Sequence, residues 1–158
     1  MTMMAASTTL KAARAPPEKS SENFKTNKVT NMKAMFQLCN ELEYLDLSNF
    51  NISNVTDMGY MFNECHKLKQ IKGINNFNTN QVTNMLGMFE NCKELEYLDL
   101  SHFNTSKVTN MACMLADCEK LKQIKGINNF NTINVTDMRL MFAQCNELEY
   151  LDLSNFNT

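Results

Sequence analysis

The chain has 158 residues, 44% of them hydrophobic, which is enough for one folded domain with an ordinary core. Its formal net charge of −2 lacks the basic excess that binding to nucleic acid or to an anionic membrane requires. No apolar stretch approaches the roughly 20 residues that cross a bilayer, so we expect no membrane span.

The first 22 residues differ in composition from the rest, and we predict a flexible N-terminal tail over 1–22 and one repeat domain over 23–158. The apolar stretch at 3–10 is interrupted by Ser7, Thr8 and Thr9, which disfavours an export signal. No acidic residue precedes Glu18, a feature shared by transit peptides and ordinary disordered tails. An intracellular or organellar location is therefore the expectation, with the cell surface as the alternative.

A Val-Thr-Asn/Asp-Met motif recurs through the remaining sequence. It begins at Val29, Val55, Val82, Val108 and Val135, with spacings of 26, 27, 26 and 27 residues. We define repeats 1 to 5 as the segments that start at these five valines. Periods of 20 to 29 residues with regular leucines are typical of solenoids, in which each unit stacks on the next.

The repeats are of two types. Acidic repeats 1, 3 and 5 carry Glu-Leu-Glu-Tyr-Leu-Asp-Leu at 41–47, 94–100 and 147–153. Lysine repeats 2 and 4 carry Lys-Leu-Lys-Gln-Ile-Lys-Gly-Ile at 67–74 and 120–127. The one additional residue of a lysine repeat falls at Gly73 and Gly126, where we predict a bulge at the end of a strand.

Two hydrophobic periods alternate within each repeat. Met32, Met35, Phe36 and Cys39 follow the i, i+3, i+4, i+7 pattern of a short helix, which Thr30 or Asn31 can cap. Residues 44–47 alternate with period two, as in a strand. The sequence therefore predicts an α/β solenoid of the leucine-rich-repeat type, with a continuous parallel sheet on one face, short helices on the other and about five 26- or 27-residue coils.

Stacked repeats align equivalent residues in columns, and three of these columns alternate in charge from one repeat to the next. They are Glu41, Lys67, Glu94, Lys120, Glu147; Glu43, Lys69, Glu96, Lys122, Glu149; and Asp46, Lys72, Asp99, Lys125, Asp152. A solvated surface explains why these residues are charged but not why the sign alternates. We predict ion pairs between neighbouring repeats that penalise any other order of stacking.

A cysteine column at Cys39, Cys65, Cys92, Cys118 and Cys145 has three interpretations. The thiols could act as small core residues, since they share a stripe with the methionines. They could form disulfides between repeats in an oxidising compartment, or bind a metal ion. The close ligand pairs of structural metal sites are missing, so we predict no metal site.

The run Leu98, Asp99, Leu100, Ser101, Phe103, together with Val108, Thr109, Asn110, Met111, Met114, Cys118 and Leu121, resembles the BspA-like leucine-rich repeat found in bacterial and protist surface proteins. The resemblance extends over roughly residues 23–158. Leu115 departs from it by replacing a usual phenylalanine, and the lysine repeats lack the Leu-Asp-Leu-Ser core. The resemblance implies protein binding, adhesion or a surface role.

No feature of the sequence indicates catalysis, a cofactor or a small-molecule substrate. We expect a non-enzymatic protein that binds another protein, as a structural or scaffold subunit of a hetero-oligomeric assembly; the alternative is a cell-surface adhesin or a fragment of one. Tyrosine offers a large contact area with a polar tip, so the strand face is the predicted contact surface. Its residues are Tyr44, Gln70, Tyr97, Gln123 and Tyr150.

Overall fold

The computed structural model describes residues 26–157, so the predicted tail over 1–22 lies outside the described residues. The regular elements are few and short. The strands are β1 (Tyr44–Asp46), β2 (Gln70–Lys72), β3 (Tyr97–Asp99) and β4 (Gln123–Lys125). Two 3-10 helices, Ile74–Asn76 and Ile127–Asn129, follow the strands of the lysine repeats. Each strand has a buried apolar residue between two more exposed polar ones, which accounts for the period of two in the sequence.

The strands pair in parallel, in the register that the repeat alignment predicts. Tyr44 lies opposite Gln70, and Tyr97 lies opposite Gln123. The pairing stops after two strands, because β1 and β2 form one sheet and β3 and β4 another. The predicted continuous sheet is therefore interrupted between repeats 2 and 3. The interruption coincides with the longer, 27-residue spacing, whose additional residue follows β2.

That additional residue adopts a left-handed backbone conformation. Gly73 has φ 81° and Gly126 has φ 83°, and each is the N-cap of a 3-10 helix. The bulge predicted at these two glycines is thus a left-handed residue that leads directly into a 3-10 helix. A Cβ atom on Gly73 would lie 2.6 Å from the Cα of Ser48. Glycine is required at this position because it lacks a Cβ and tolerates positive φ.

The link that joins all five repeats is a row of parallel bridges. It runs through Asn31, Asp57, Asn84, Asn110 and Asp137. Each of these side chains also accepts a hydrogen bond from the backbone N–H two residues later, as in Asn31 with Lys33 and Asp57 with Gly59. The Asn/Asp position predicted as a helix cap therefore begins a turn instead.

The short helices expected after this row are absent from the described repeats. Residues 33–38 and their equivalents form consecutive turns, in which Ala34 has φ 57° and Leu38 has φ 62°. Alternate N–H groups donate to the next repeat, as Met32 does to the carbonyl of Asp57 and Phe36 to that of Met61. The prediction of short helices was wrong. Turns that repeat every four residues bury the same side chains as a helix would, so the apolar spacing does not distinguish the two.

The predicted apolar stripes form the core. The methionines of repeats 2 to 4 are fully buried, as are Val55, Val82 and Val108. The rings of Phe36, Phe62 and Phe89 stack, with centroids 5.5 and 5.4 Å apart. The sequence analysis did not predict a second buried column, which consists of Thr79, Thr105 and Thr132. Each threonine hydroxyl accepts a hydrogen bond from the backbone N–H of an asparagine in the next repeat and donates one to the carbonyl of the same asparagine.

The buried cysteines have the geometry of core thiols. Cys65, Cys92 and Cys118 are fully buried. Each thiol donates to a carbonyl in the preceding repeat, that of Phe36, Phe62 and Phe89 respectively, at 3.1 to 3.3 Å. Burial raises the pKa of the Cys92 thiol, so the reactive thiolate form is disfavoured at neutral pH. These contacts match the interpretation of the column as small core residues.

Candidate protein-binding face

The strand face is built from the first residue of each strand, whose side chain points away from the core. Leu45, Ile71, Leu98 and Ile124 are the buried central residues that anchor the four strands. Their neighbours Tyr44, Gln70, Tyr97 and Gln123 lie on the opposite, outer side. Parallel pairing thus sets each tyrosine beside a glutamine, and four of the five predicted contact residues lie on two adjacent strand pairs.

The tyrosines of this face differ in exposure. Tyr97 is 47% exposed and Tyr150 is 75% exposed, whereas Tyr44 is half-buried. Large aromatic side chains that keep this much surface in solvent are typical anchors of protein interfaces. Tyr97 and Tyr150 therefore offer more contact surface than Tyr44.

Ion pairs border the row of tyrosines and glutamines on both sides. In repeats 1 and 2 they join Glu41 to Lys67, Glu43 to Lys69 and Asp46 to Lys72, at 2.7 to 2.9 Å. In repeats 3 and 4 the equivalent pairs join Glu94 to Lys120, Glu96 to Lys122 and Asp99 to Lys125, at 2.8 to 3.1 Å. The predicted pairing is confirmed wherever an acidic repeat precedes a lysine repeat.

Two of these pairs lower the pKa of their carboxyl groups, Glu43 and Asp46. The hydrogen bond from Lys69 lowers the pKa of Glu43. Hydrogen bonds from Lys72 and Ser48 lower the pKa of Asp46 to about 2. Glu43 and Asp46 are therefore negatively charged at neutral pH and are each neutralised by a lysine of the next repeat.

The pairing does not extend evenly to the other junctions. Among residues 26–157, no ion pair joins a lysine of repeat 2 to an acid of repeat 3. At the next such junction the one recorded pair is Lys122 with Glu147, at 3.9 Å. The ion pairs thus group the repeats into two doublets, repeats 1 and 2 and repeats 3 and 4. Repeat 5 carries Glu147, Glu149 and Asp152 in the same three columns.

Reversal of one charge tests the ion-pair column. Lys69→Glu would set three carboxylates in succession at positions 43, 69 and 96, so we expect a lower melting temperature in low salt. The difference from the wild-type protein should shrink in about 1 M salt, where screening is nearly complete.

Lys33→Glu is the matched control, since Lys33 is exposed and has no ion pair within the described residues. An equal loss in both variants, or no loss for Lys69→Glu in low salt, would contradict a role for the column in stacking.

Repeat 5 departs from the strand face. Residues 150–152 do not pair with β4, and a cleft of about 540 Å³ lies beside that strand. Gln123 and Tyr150 both line this cleft, together with Ile124, Ile127 and Glu149. The structure therefore brings Tyr150 close to Gln123 but outside the strand pairing that holds the other four predicted contact residues.

Both histidines of the described residues make local contacts. The Nε2 atom of His66 lies 2.7 Å from Oε2 of Glu64, and the Nδ1 atom of His102 lies 2.9 Å from the carbonyl oxygen of Asn75.

Across residues 26–157, no group of three His, Cys, Asp or Glu side chains is placed to hold a metal ion. Within the same span, no helix has the length and apolar character needed to cross a bilayer.

Comparison with known proteins identifies one family. A family model described as "Mycoplasma protein of unknown function, DUF285" matches residues 3–124 and again residues 67–158. The overlapping matches agree with an internally repeated sequence. No curated protein and no solved structure matches the chain.

Proposed function

Because the chain belongs to this family of unknown function, we propose from its own residues that it is a non-enzymatic leucine-rich-repeat solenoid that binds another protein. Support for the solenoid comes from the parallel bridges that run from Asn31 to Asp137 and from the hydrogen bonds that join each repeat to the next. A BspA-like repeat type is the finer proposal, based on the motif resemblance given above.

The exposed tyrosines carry the proposal of protein binding. Tyr97 stands on a strand whose central residue is fully buried, so its backbone position is set by the core. A preorganised aromatic side chain loses little entropy on binding, and ion pairs on both sides supply a polar rim. This combination fits a structural or scaffold subunit that holds a partner against its strand face.

The absence of catalysis is part of the same proposal. The acids and lysines beside the tyrosines are paired with one another at 2.7 to 3.1 Å. The lysine hydrogen bonds lower the pKa of Glu43, Asp46 and Glu96, which makes these carboxylates weaker proton acceptors near neutral pH. The surface is therefore suited to recognition.

Site-specific photocrosslinking in the native cell tests the contact face. A photoreactive phenylalanine analogue at position 97 is expected to crosslink to one protein, and Tyr97→Ala should weaken capture of that protein at least about tenfold, as interface anchors do. The control position is Ile133, which is 69% exposed and lies outside the strands. Undiminished capture by Tyr97→Ala, or equal crosslinking from position 133, would contradict the proposal.

A further inference from the structure

The charges of the strand face form a pattern that complements itself. At the positions of residues 43, 44 and 46, repeats 1 and 3 carry Glu, Tyr and Asp, and repeats 2 and 4 carry Lys, Gln and Lys. From repeat 1 to repeat 4 the sign alternates and starts with negative, and in the opposite direction it starts with positive. A second strand face turned end for end would therefore set every acid opposite a lysine.

Repeats 1 to 4 hold these charges in one continuous stack, although their sheet is interrupted. The row of parallel bridges joins Asn31 to Asp57, Asp57 to Asn84 and Asn84 to Asn110. Strands β1 and β2 pair in parallel, as do β3 and β4. The four strands thus present their outer side chains on one face and in chain order.

The charged side chains of this face keep much of their surface in solvent, although they are paired within the chain. In the pairs Glu43–Lys69 and Glu96–Lys122, each side chain is between 44% and 60% exposed. A carboxylate accepts from more than one donor, and an ammonium group has three donors. Each of these groups can therefore take a second partner of opposite charge from outside the chain.

One of two symmetric face-to-face arrangements matches the pattern. In a dimer with a two-fold axis, the same surface of both copies meets itself. An axis along the stack would set each repeat opposite its own copy, where like charges repel. An axis parallel to the strands reverses the order of the repeats. At the boundary between repeats 2 and 3, this axis sets repeat 2 opposite repeat 3 of the second copy and repeat 1 opposite repeat 4.

We propose that the strand face binds the strand face of a second copy of this chain, in a symmetric dimer whose two-fold axis lies at the boundary between repeats 2 and 3. The inference rests on the proposed function, because it names the partner of the protein-binding face. The facing residues of the two copies are Lys69 with Glu96, Glu43 with Lys122, Lys72 with Asp99, Asp46 with Lys125, Gln70 with Tyr97, and Tyr44 with Gln123.

The size of the contact predicts a weak dimer. Four strands at a spacing of roughly 4.8 Å give a face about 20 Å long, which is small for a stable interface. Exposed ion pairs contribute little free energy each, so they set the orientation and register of the copies, and Tyr97 supplies apolar contact. We expect a micromolar dissociation constant that rises with added salt.

Sedimentation velocity of the full chain at increasing concentration measures the dimer. We expect the wild-type chain to convert from monomer to dimer, and Tyr97→Ala to dimerise at least about tenfold more weakly. A wild-type chain that remains monomeric at about 100 μM in low salt overturns the proposal. Equal dimerisation of Tyr97→Ala and the wild-type chain also overturns it.

Two charge-exchange variants isolate the contact between the copies. One carries Glu43→Lys with Lys69→Glu, and the other carries Glu96→Lys with Lys122→Glu. Each variant retains an ion pair within its doublet but sets like charges opposite each other in its own dimer. We expect each variant alone to dimerise at least about tenfold more weakly than the wild-type chain.

An equimolar mixture of the two variants restores opposite charges at all four positions, so we expect dimers to form again. Mixing changes nothing within either chain, so recovery cannot result from improved folding. The variant with all four exchanges complements itself and should dimerise like the wild-type chain. Wild-type dimerisation of either two-exchange variant alone, failure of the mixture to associate, or a monomeric four-exchange variant overturns the proposal.

The photocrosslinked product from position 97 separates this inference from the proposed function. A product that contains two copies of this chain agrees with both. A product with a different protein and none with a second copy overturns the dimer, and it leaves protein binding by the strand face intact. The absence of any crosslinked protein contradicts the proposed function itself.

Discussion

Replacement of Phe62 by alanine is expected to lower the free energy of unfolding by about 3–5 kcal/mol, as for other buried phenylalanines. Phe62 is fully buried and lies between the rings of Phe36 and Phe89, within 5.5 Å of each. Truncation would leave a cavity in the middle of the stack, and both neighbouring rings would lose a face. Urea unfolding followed by circular dichroism measures the loss.

Phe62→Leu is the matched control for this cavity. Repeat 4 has Leu115 in the same column, where it is fully buried. The column therefore accepts leucine in one repeat, and we expect a smaller loss than for alanine because the side chain still fills much of the space. If leucine and alanine destabilise the protein equally, loss of filled volume does not explain the effect of Phe62→Ala.

Gly73→Ala is expected to lower the free energy of unfolding by about 2–4 kcal/mol, the combined cost of positive φ for an alanine and of overpacking. The added Cβ would lie 2.6 Å from both the N and Cα atoms of Ser48, which are backbone atoms of the paired repeat and cannot turn aside. The strain would fall where β2 leads into its 3-10 helix. The same urea measurement applies.

Gly87→Ala is a control in which φ is also positive but the added Cβ meets side-chain atoms instead of backbone atoms. Gly87 has φ 56°, and the non-glycine residues Ala34, Tyr60, Cys113 and Leu140 occupy its column with φ 55° to 58°. The nearest atoms to an added Cβ belong to the side chains of Tyr60 and Glu90, at 2.6 to 2.8 Å, and both side chains are half-buried. A loss for Gly87→Ala as large as that for Gly73→Ala would argue against the Ser48 contact as the cause.

The repeats that are joined by ion pairs of the alternating charge columns are the same repeats whose strands pair. Strand pairing and the short ion pairs both occur within repeats 1 and 2 and within repeats 3 and 4. The additional glycine of each lysine repeat falls between one doublet and the next acidic repeat. One doublet therefore spans 53 residues, and each boundary between doublets lacks strand pairing.

Several features of this protein followed from the sequence alone. Repetition at 26 and 27 residues predicted which residues become neighbours, and the contact between Glu43 and Lys69 at 2.9 Å agrees with that register. Apolar spacing predicted which side chains are buried, including Met58 and Phe62. These predictions succeed because stacking copies one set of contacts from repeat to repeat, so that equivalent positions meet whatever the local backbone conformation.

The contact residues were only partly predictable. The alternation around Leu45 and Leu98 placed Tyr44 and Tyr97 on the outer side of their strands, as found. The same reasoning placed Tyr150 on a fifth strand, but residues 150–152 form none. Repeat 5 has the same strand sequence as repeats 1 and 3, whose strands pair with the lysine repeat that follows each of them. No lysine repeat follows repeat 5 within the described residues, so strand formation depends on more than a repeat's own sequence.

The tertiary structure alone decided the backbone path between the buried positions. The stripe of Met32, Met35, Phe36 and Cys39 fits a helix and a series of turns equally well. In a helix the amide of Phe36 would donate to its own segment, but here it donates to Met61, 2.9 Å away in repeat 2. An amide can donate to another repeat only where that repeat lies within hydrogen-bond distance. The sequence of a single repeat does not show whether a neighbouring repeat is that close.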